Sequence, residues 1–481
     1  MTKDEIIAQK DAQIASLNFR LKQLEKLIFG AKSERTVSSE YPQQPTLFGT
    51  IEDKATAVET ASETITYNRS KKKHPGRNPL PDTIPTEEVI IEPSIDTEGL
   101  TKIGEEITET LKYTPASLIK VRTIRPKYAQ KSGEGVLIAE LPNRPINKCI
   151  AEASLLSSIL VNKYVDHLPL YRQIQGFKRD YNWNPAQSTL GGWVQACCIL
   201  LKPLYNRLKQ KVLSSSYIQA DESPIKVLDK DKKGSAHQGY QWVYHDPLSK
   251  LILFHYRKGR GMSGPKELLS DYKGYLQCDG YKVYDKIGLQ PGITLVGCLV
   301  HARRKFYDAK DNDAERAQFA LGRFRAIYKI EKEIQQSTDI TADAKQIIRQ
   351  TRTKPIIEEL KKWIEEESLK VLPKSAMGKA MTYYLNQYHK LIKVTDAPEL
   401  ELDNNLIENK IRPLALGRKN YLFAGSHAAA QHTAMIYSFF ATCKANDINP
   451  RIWMQHVLET INEYSIQDLD LLLPTAFRVN M

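Results

Sequence analysis

The stretch Tyr217-Ile-Gln-Ala-Asp-Glu-Ser-Pro224 constrains this chain more than any other. Val212, Leu213, Tyr217 and Ile218 lead into it, and Ile225, Val227 and Leu228 follow. An apolar run that ends on acid, with Pro224 stopping it, predicts a buried strand delivering Asp221 to a sheet edge. The pattern recurs at Gly274-Tyr-Leu-Gln-Cys-Asp-Gly-Tyr281, where Asp279 ends a second short apolar run. A third acid, Glu408, follows in Leu402–Pro413. Leu402, Leu406, Ile407 and Ile411 keep helical spacing there, which places Glu408 on a helix.

Two strand-end aspartates and a helical glutamate can converge on hard divalent cations. Mg²⁺ takes carboxylate oxygens, keeps several waters and completes its octahedron with phosphate oxygens. Two such ions roughly 3.5–4 Å apart activate a water and stabilise the leaving oxygen of a phosphodiester, with no side-chain nucleophile. Acids at strand ends are also commonly solvated, and spacing alone leaves both readings open. Glu222 and Asp403 are neighbouring carboxylates able to take the same role.

The surrounding pattern is mixed α/β. Gly239–His245 and Lys250–Tyr256 bracket Asp246-Pro247, which reads as two strands around a tight turn. A helix-like Pro265–Ser270 precedes the Asp279 strand, and Ile293–Cys298 supplies a fifth strand. The interval from Asp279 to Glu408 is more than twice that from Asp221 to Asp279, so something is inserted. Its periodicity is helical: Ala320, Phe324, Ile327 and Ile334 fit one face, Ile356, Leu360 and Ile364 another. Met377, Met381, Tyr384, Leu385, Tyr388 and Leu391 fit a third. An all-helical insertion over 310–398 is expected within a core of 213–309 and 399–425, with helices of 426–481 packed on it.

Upstream, Ile7, Ile14, Leu21 and Ile28 fall seven apart, with Leu17 and Leu24 between and Lys10 breaking the seam. Residues 4–29 therefore read as a short coiled coil joining subunits, within a 1–35 unit, or as one amphipathic helix docked on its own domain. Residues 36–85 have linker composition. Within them Arg69–Arg77 carries five Lys/Arg, including Lys71, Lys72, Lys73 and Arg77, and no acid. Such a run lies along phosphates or is a solvated tail. Residues 86–145 alternate as a small β module. Residues 146–212 are helical in pattern, with Ser188 as an N-cap. They read as a helix-turn-helix DNA-binding region or as a packing bundle.

Lys and Arg total 69 against 56 acids, a net +13 that favours polyanionic partners. No apolar run approaches the roughly 20 residues that cross a bilayer, so no membrane partner is expected. The start lacks the apolar core of a secretory signal. Six cysteines without a Cys-x-x-Cys pair read as buried small hydrophobes in a reducing cytoplasm.

The segments Ala220–Pro224, Leu276–Tyr281, Cys298–Phe306, Asp403–Pro413 and Leu416–Ser426 together resemble the signature of the insertion sequence 66 family of bacterial DDE transposases. Leu24–Arg35 is similar to the family's amino-terminal signature. The resemblance implies a ribonuclease H-like catalytic core, with Asp221 contacting two Mg²⁺ ions, Asp279 one and Glu408 the other, and Mn²⁺ able to substitute. It also implies element ends and target DNA as partners, and small accessory proteins encoded beside the gene. Family members commonly carry a cysteine zinc module where this chain reads Tyr128–Gly133 without cysteine. A closed structural site needs four such ligands, so no zinc is expected.

His301, in Cys298-Leu-Val-His301, resembles a Cys-x-x-His pair of transposases; it orients the scissile phosphate or an acid, or is structural. Arg303, Arg304 and Lys305 beside it are candidate phosphate contacts, as are Arg412, Arg418 and Lys419 after Glu408. Arg412 stands one helical turn from Glu408, placed for an ion pair or for clamping DNA. The expected function is strand cleavage and strand transfer at element ends, acting at the nucleoid. A non-catalytic DNA-binding relative and a ribonuclease H-like structure-specific nuclease are the alternatives.

Overall fold

A computed structural model describes Lys10, Ile14, Leu17 and Asn18, all helical, and residues 117–124, 127–129, 136–138, 144–229, 236–337 and 340–478. The seam of 4–29 lies outside the described residues except for those four, of which Ile14 and Leu17 are exposed. The basic run 69–77 and Tyr128–Gly133 beyond Ala129 lie outside them too. The chain divides into two units, Met1–Ala31 with Val121–Met481, and Lys32–Lys120. In the second, only Ser117–Lys120 are described, and they are irregular.

In the first unit β1 (Lys127–Ala129) pairs antiparallel with β2 (Val136–Ile138). Four helices follow: α1 (Ala153–Tyr164), α2 (Leu170–Tyr181), α3 (Gln187–Leu200) and α4 (Lys202–Leu213). Ser188 is not the N-cap of α3. The helix starts at Gln187, with Ala186 at the N-cap position and no side-chain cap. The sheet comes next, as β3 (Tyr217–Leu228), β4 (Ala236–Asp246) and β5 (Leu251–Arg257), then α5 (Ser263–Leu268), β6 (Gly274–Gln277), α6 (Lys282–Ile287) and β7 (Ile293–Val296). The remainder is helical: α7 (Leu299–Asp308), α8 (Ala314–Gln336), α9 (Ala342–Ile348), a π-helical turn (Arg349–Thr353), α10 (Lys354–Ser368), α11 (Ala376–Leu391), α12 (Asn405–Tyr421), α13 (His427–Ala445) and α14 (Pro450–Thr460). No helix among the described residues is long and apolar enough to cross a membrane. All six cysteines are buried and free.

The sheet order is β5-β4-β3-β6-β7. β3 runs antiparallel to β4 and parallel to β6, and β6 is parallel to β7. Pro224 does not stop β3, which continues to Leu228. The reason is that β6 pairs only with Tyr217–Gln219, so the far edge of β3 needs no strand donor beyond that point. The Pro224 carbonyl faces that edge and accepts from the Arg418 guanidinium. Farther on, Ala424 N donates to Lys226 O (2.8 Å) and Leu228 N to Ala424 O (2.9 Å), so the end of α12 covers the gap.

The outer edge of β5 is closed by side chains of α13. Ser438 Oγ accepts from Phe254 N (2.7 Å), Thr442 Oγ1 from Ile252 N (3.1 Å), and Asn446 Nδ2 donates to Lys250 O (3.1 Å). Four residues of helix rise about 6 Å and two of strand about 6.7 Å, so the two ladders stay in step. An exposed strand edge invites pairing with other chains, and this helix removes it.

Two apolar cores result. One joins α1–α4, α13 and α14 to most of the sheet. The other joins Tyr217, Val296 and α7 to the helices of 314–395. That second layer is fastened at two buried cations. Arg349, fully buried, donates to both carboxylate oxygens of Glu331 (3.0 and 2.6 Å) and to Leu400 O (2.6 Å). Buried Lys390 binds Gln387 (2.8 Å) and reaches Asp285 on α6, while its carbonyl accepts from Gly297 N (2.9 Å). Removing one partner of a buried pair strands the other charge. Arg349→Met should therefore cost about 3–5 kcal/mol in urea unfolding, and Glu331→Leu in the same chain should recover most of it. An additive loss in the double variant would show that the carbonyl contacts alone matter.

Candidate functional site

The site rests on two glutamines that precede the strand acids by two positions. Side chains two apart on a strand share a face, so Gln219 sits beneath Asp221 within β3; Gln277 ends β6, and Asp279 follows two residues later in the turn beyond that strand. Both glutamines are fully buried. Gln219 Nε2 donates to Gln277 Oε1 (2.9 Å) and to Asp403 O (3.1 Å). Gln277 Nε2 donates to Glu401 O (2.7 Å). The Tyr217 hydroxyl donates to Gln277 Oε1 and accepts from Glu401 N (3.2 Å). His245 Nδ1 lies 3.2 Å from Gln219 Oε1. Burial, with Lys410 nearby, pushes the His245 pKa down to about 3, so a neutral ring donates Nδ1–H to that oxygen. The network grips the backbone of 401–403 just ahead of α12, and Glu408 lies in the first turn of that helix.

Asp221 is half-buried, and its Oδ1 accepts from Glu222 N (2.7 Å). Burial, then the charges of Glu222, Asp279 and Glu408, push its pKa up to about 7. Asp279 and Glu408 are thus each within electrostatic reach of Asp221. Asp279 Oδ1 accepts from Tyr281 N (2.9 Å). Between these two residues Gly280 packs under Tyr383 of α11, whose ring would stand 2.8 Å from any Cβ there. Glu408 Oε1 lies 3.8 Å from His301 Nε2 on α7, and His301 Nδ1 is buried without a partner.

The neighbouring carboxylates are engaged elsewhere. Glu222 Oε1 accepts from Arg260 Nε (2.8 Å) and Nη2 (2.5 Å), and its Oε2 from the Tyr284 hydroxyl (3.2 Å). Asp403 accepts from Tyr328 (3.0 Å) and from Asn405 N (2.9 Å). Asp221, Asp279 and Glu408 retain oxygens for an external ligand. Among the described residues no three His, Cys, Asp or Glu side chains group around a single point as ion ligands. Mg²⁺ is ordinarily held by one or two carboxylates with waters and phosphates. An acid shared between two ions, with one further acid for each, suits this donor set better than a closed three-ligand cage.

Of the candidate DNA contacts, Arg303, Arg304 and Lys305 are exposed on α7, and the Lys305 ammonium stands 5.9 Å from the Tyr383 ring centre. Arg412 and Lys419 are exposed on α12. No ion pair joins Arg412 to Glu408 among the described residues, and His301 takes that place. Arg418 is spent on the Pro224 carbonyl. Lys71, Lys72, Lys73 and Arg77 lie outside the described residues. Sequence reasoning missed Gln219, Gln277, Arg260 and Tyr383. The first two had a signal, a Gln-x-Asp repeated at the ends of both acid-bearing runs.

Residues 148–432 match the family model described as "Transposase IS66 family". Residues 438–475 match "IS66 C-terminal element", and residues 16–89 match "Transposase C of IS166 homeodomain". The chain is 31% identical to uncharacterized protein y4jD of Sinorhizobium fredii, over 98% of its own length and 97% of that protein. It is 27% identical to uncharacterized protein y4hP of the same organism, over 97% and 89%.

The Asp221 shift makes a prediction about pH. A carboxyl whose folded pKa is raised from 3.8 to about 7 holds its proton longer in the folded state. Its contribution to stability is complete below about pH 4 and is lost as pH rises through about 7. With chelator present, Asp221→Asn should be more stable than the parent in urea at pH 8, and the two should converge near pH 4. An equal difference at both pH values would refute the shift.

Proposed function

The chain belongs to the IS66 transposase family, and from that premise we propose that it is a DDE-type enzyme that cuts the DNA ends of a bacterial insertion sequence and joins them to target DNA. The observation that carries this reading is that Asp279 and Glu408 each bear electrostatically on Asp221, while Glu222 and Asp403 are bonded by other side chains. The strand order, with three antiparallel strands followed by two parallel ones, supports a ribonuclease H-like core over 213–309 and 399–425. We assign 310–398 as a helical insertion, 146–212 as a DNA-binding region, 86–145 as a small β module and 426–481 as supporting helices. Residues 36–85 are a linker whose Lys71, Lys72, Lys73 and Arg77 lie along phosphates. Residues 1–35 join two copies through 4–29. The place of action is the cytoplasm, on the nucleoid.

In the mechanism, Asp221, Asp279 and Glu408 would hold divalent cations, Mg²⁺ or Mn²⁺, with Asp221 contributing to both of two ions. When bound, the ions supply a nucleophile at neutral pH and offset charge on the phosphate. The chain's own groups do the rest. The Glu222 and Tyr281 amides fix the Asp221 and Asp279 carboxylates, so that neither must reorganise. His301 stands beside Glu408, its Nε2 3.8 Å from Oε1 and so beyond a direct hydrogen bond. Exposed Arg303, Arg304, Lys305, Arg412 and Lys419 hold the DNA backbone, which sets position rather than sequence.

Labelled duplex carrying the element end tests this. Cleavage should appear with Mg²⁺ or Mn²⁺ and vanish with chelator, and the freed 3′ end should join a second duplex. Asp279→Asn should bind the duplex as tightly as the parent and cut at background level. A shift without products would leave a DNA binder. Cutting without joining would leave a nuclease, and wild-type cutting by the variant would remove Asp279 from the reaction.

A further inference from the structure

We propose that Arg260 is a binding point for a DNA phosphate beside the reacting one, presented by a clamp made of Glu222, Tyr281 and Tyr284. The proposal rests on the catalytic reading above and adds a residue that neither strand acids nor helix periodicity points to. Arg260 lies in the loop between β5 and α5, in Lys258-Gly-Arg-Gly261. A Cβ on Gly261 would meet nothing within 4 Å, and one on Gly259 only Gly261 N at 3.9 Å. A ligand's backbone can therefore approach the loop closely on either side of Arg260.

The guanidinium is immobilised on one side only. Its Nε and Nη2 both donate to Glu222 Oε1, and its centre stands 4.1 Å from the Tyr281 ring centre. The Tyr281 hydroxyl donates to Arg260 O (2.9 Å), and the Tyr284 hydroxyl donates to the other Glu222 oxygen (3.2 Å). The Glu222 side chain is 3% exposed and that of Arg260 47%. Such asymmetry is a poor device for stability, because the buried carboxylate is costly to desolvate and a half-exposed pair returns little. It is a good device for aiming a cation. No partner for Nη1 is seen among the described residues, so one edge of the planar fork stays available for phosphate oxygens, which Arg grips in pairs.

The location fits that use. Successive side chains on a strand project to opposite faces, so Glu222 carries Arg260 on the face opposite Asp221. Tyr281 supplies both the ring under the guanidinium and the amide that fixes Asp279. Tyr281 therefore links the turn that carries Asp279 to Arg260, so a DNA strand that extends past Asp279 along Tyr281 meets the guanidinium, while His301 stands beside Glu408. The phosphate recognised is that of nucleic acid, since Arg260 is half-exposed on an open loop.

The test pairs a protein change with a neutral phosphate. Duplexes carrying the element end are made with a single methylphosphonate at each of the three positions on either side of the cut, and binding is measured without divalent metal. The parent should lose about tenfold in affinity at one position, and Arg260→Gln should lose about as much on unmodified DNA. The two changes together should cost no more than either alone. Arg260→Gln should also reduce the salt dependence of binding by about one phosphate contact, and cut on the order of 10²-fold more slowly when metal is added. Arg260→Lys keeps the charge without the fork and serves if the glutamine variant folds poorly; it should keep the salt slope and part of the methylphosphonate sensitivity. Independent, additive losses at every position, or an unchanged salt slope for Arg260→Gln, would overturn the proposal. Because binding is read without cleavage, failure of Asp279→Asn to stop cutting counts against the catalytic reading and leaves this result interpretable.

Discussion

Two buried amides, Gln219 and Gln277, hold this structure's chemistry in register. Each costs several kcal/mol to bury unless its donors and acceptor are met. The strands alone do not meet them. Gln277 needs the Glu401 carbonyl, Gln219 needs that of Asp403, and both acceptors arrive only when the chain returns from the distant helices. A polar core of this kind is satisfied in one arrangement and penalised in others. The acid-bearing strands and the helix carrying Glu408 are thereby coupled through the residues directly beneath them.

The long helical segment between Asp279 and Glu408 gains a physical role from this. A flexible connection would cost little extra closure entropy, but it would not place Glu401 and Asp403 to within a hydrogen bond. Arg349 does so by binding Leu400 O while locked to Glu331. A π-helical turn begins at Arg349 itself, a departure from α geometry of the sort often seen at functional positions. Lys390 adds a second tie, to Asp285 six residues past Asp279. The helices thus brace both ends of the interval they span. Tyr383 also brings an aromatic ring onto the turn that carries Asp279.

Much of this was legible in the sequence, within limits set by what periodicity can encode. The five strands, the tight turn at Asp246-Pro247 and the helical faces of 314–391 all announce themselves through local hydrophobic pattern. Pro224 misled because a proline stops a strand only where its missing N–H is needed, and pairing to β6 had already ended at Gln219. Ser188 has the right chemistry for a cap, but the helix begins one residue before it. Arg412 has the right spacing to pair with Glu408, yet His301 from another element stands there instead. Arg349, Lys390 and Arg260 were invisible because their partners are remote in sequence, and a lone cation on a helix reads as surface. Gln-x-Asp was in plain view twice, but an amide has no periodic signature, and its meaning depends on a carbonyl more than a hundred residues away.

The account joins a buried polar network, which sets positions, to three acids that share an electrostatic field and retain oxygens for a ligand. On the proposed reading, Arg260 and the basic residues of α7 supply places for DNA. The most direct measurement is anomalous X-ray scattering from crystals of the protein grown with Mn²⁺. The account predicts manganese roughly 2.1 Å from an Asp221 oxygen, with Asp279 or Glu408 as a second ligand. Ordered manganese elsewhere, with these three carboxylates unliganded at saturating metal, would contradict it.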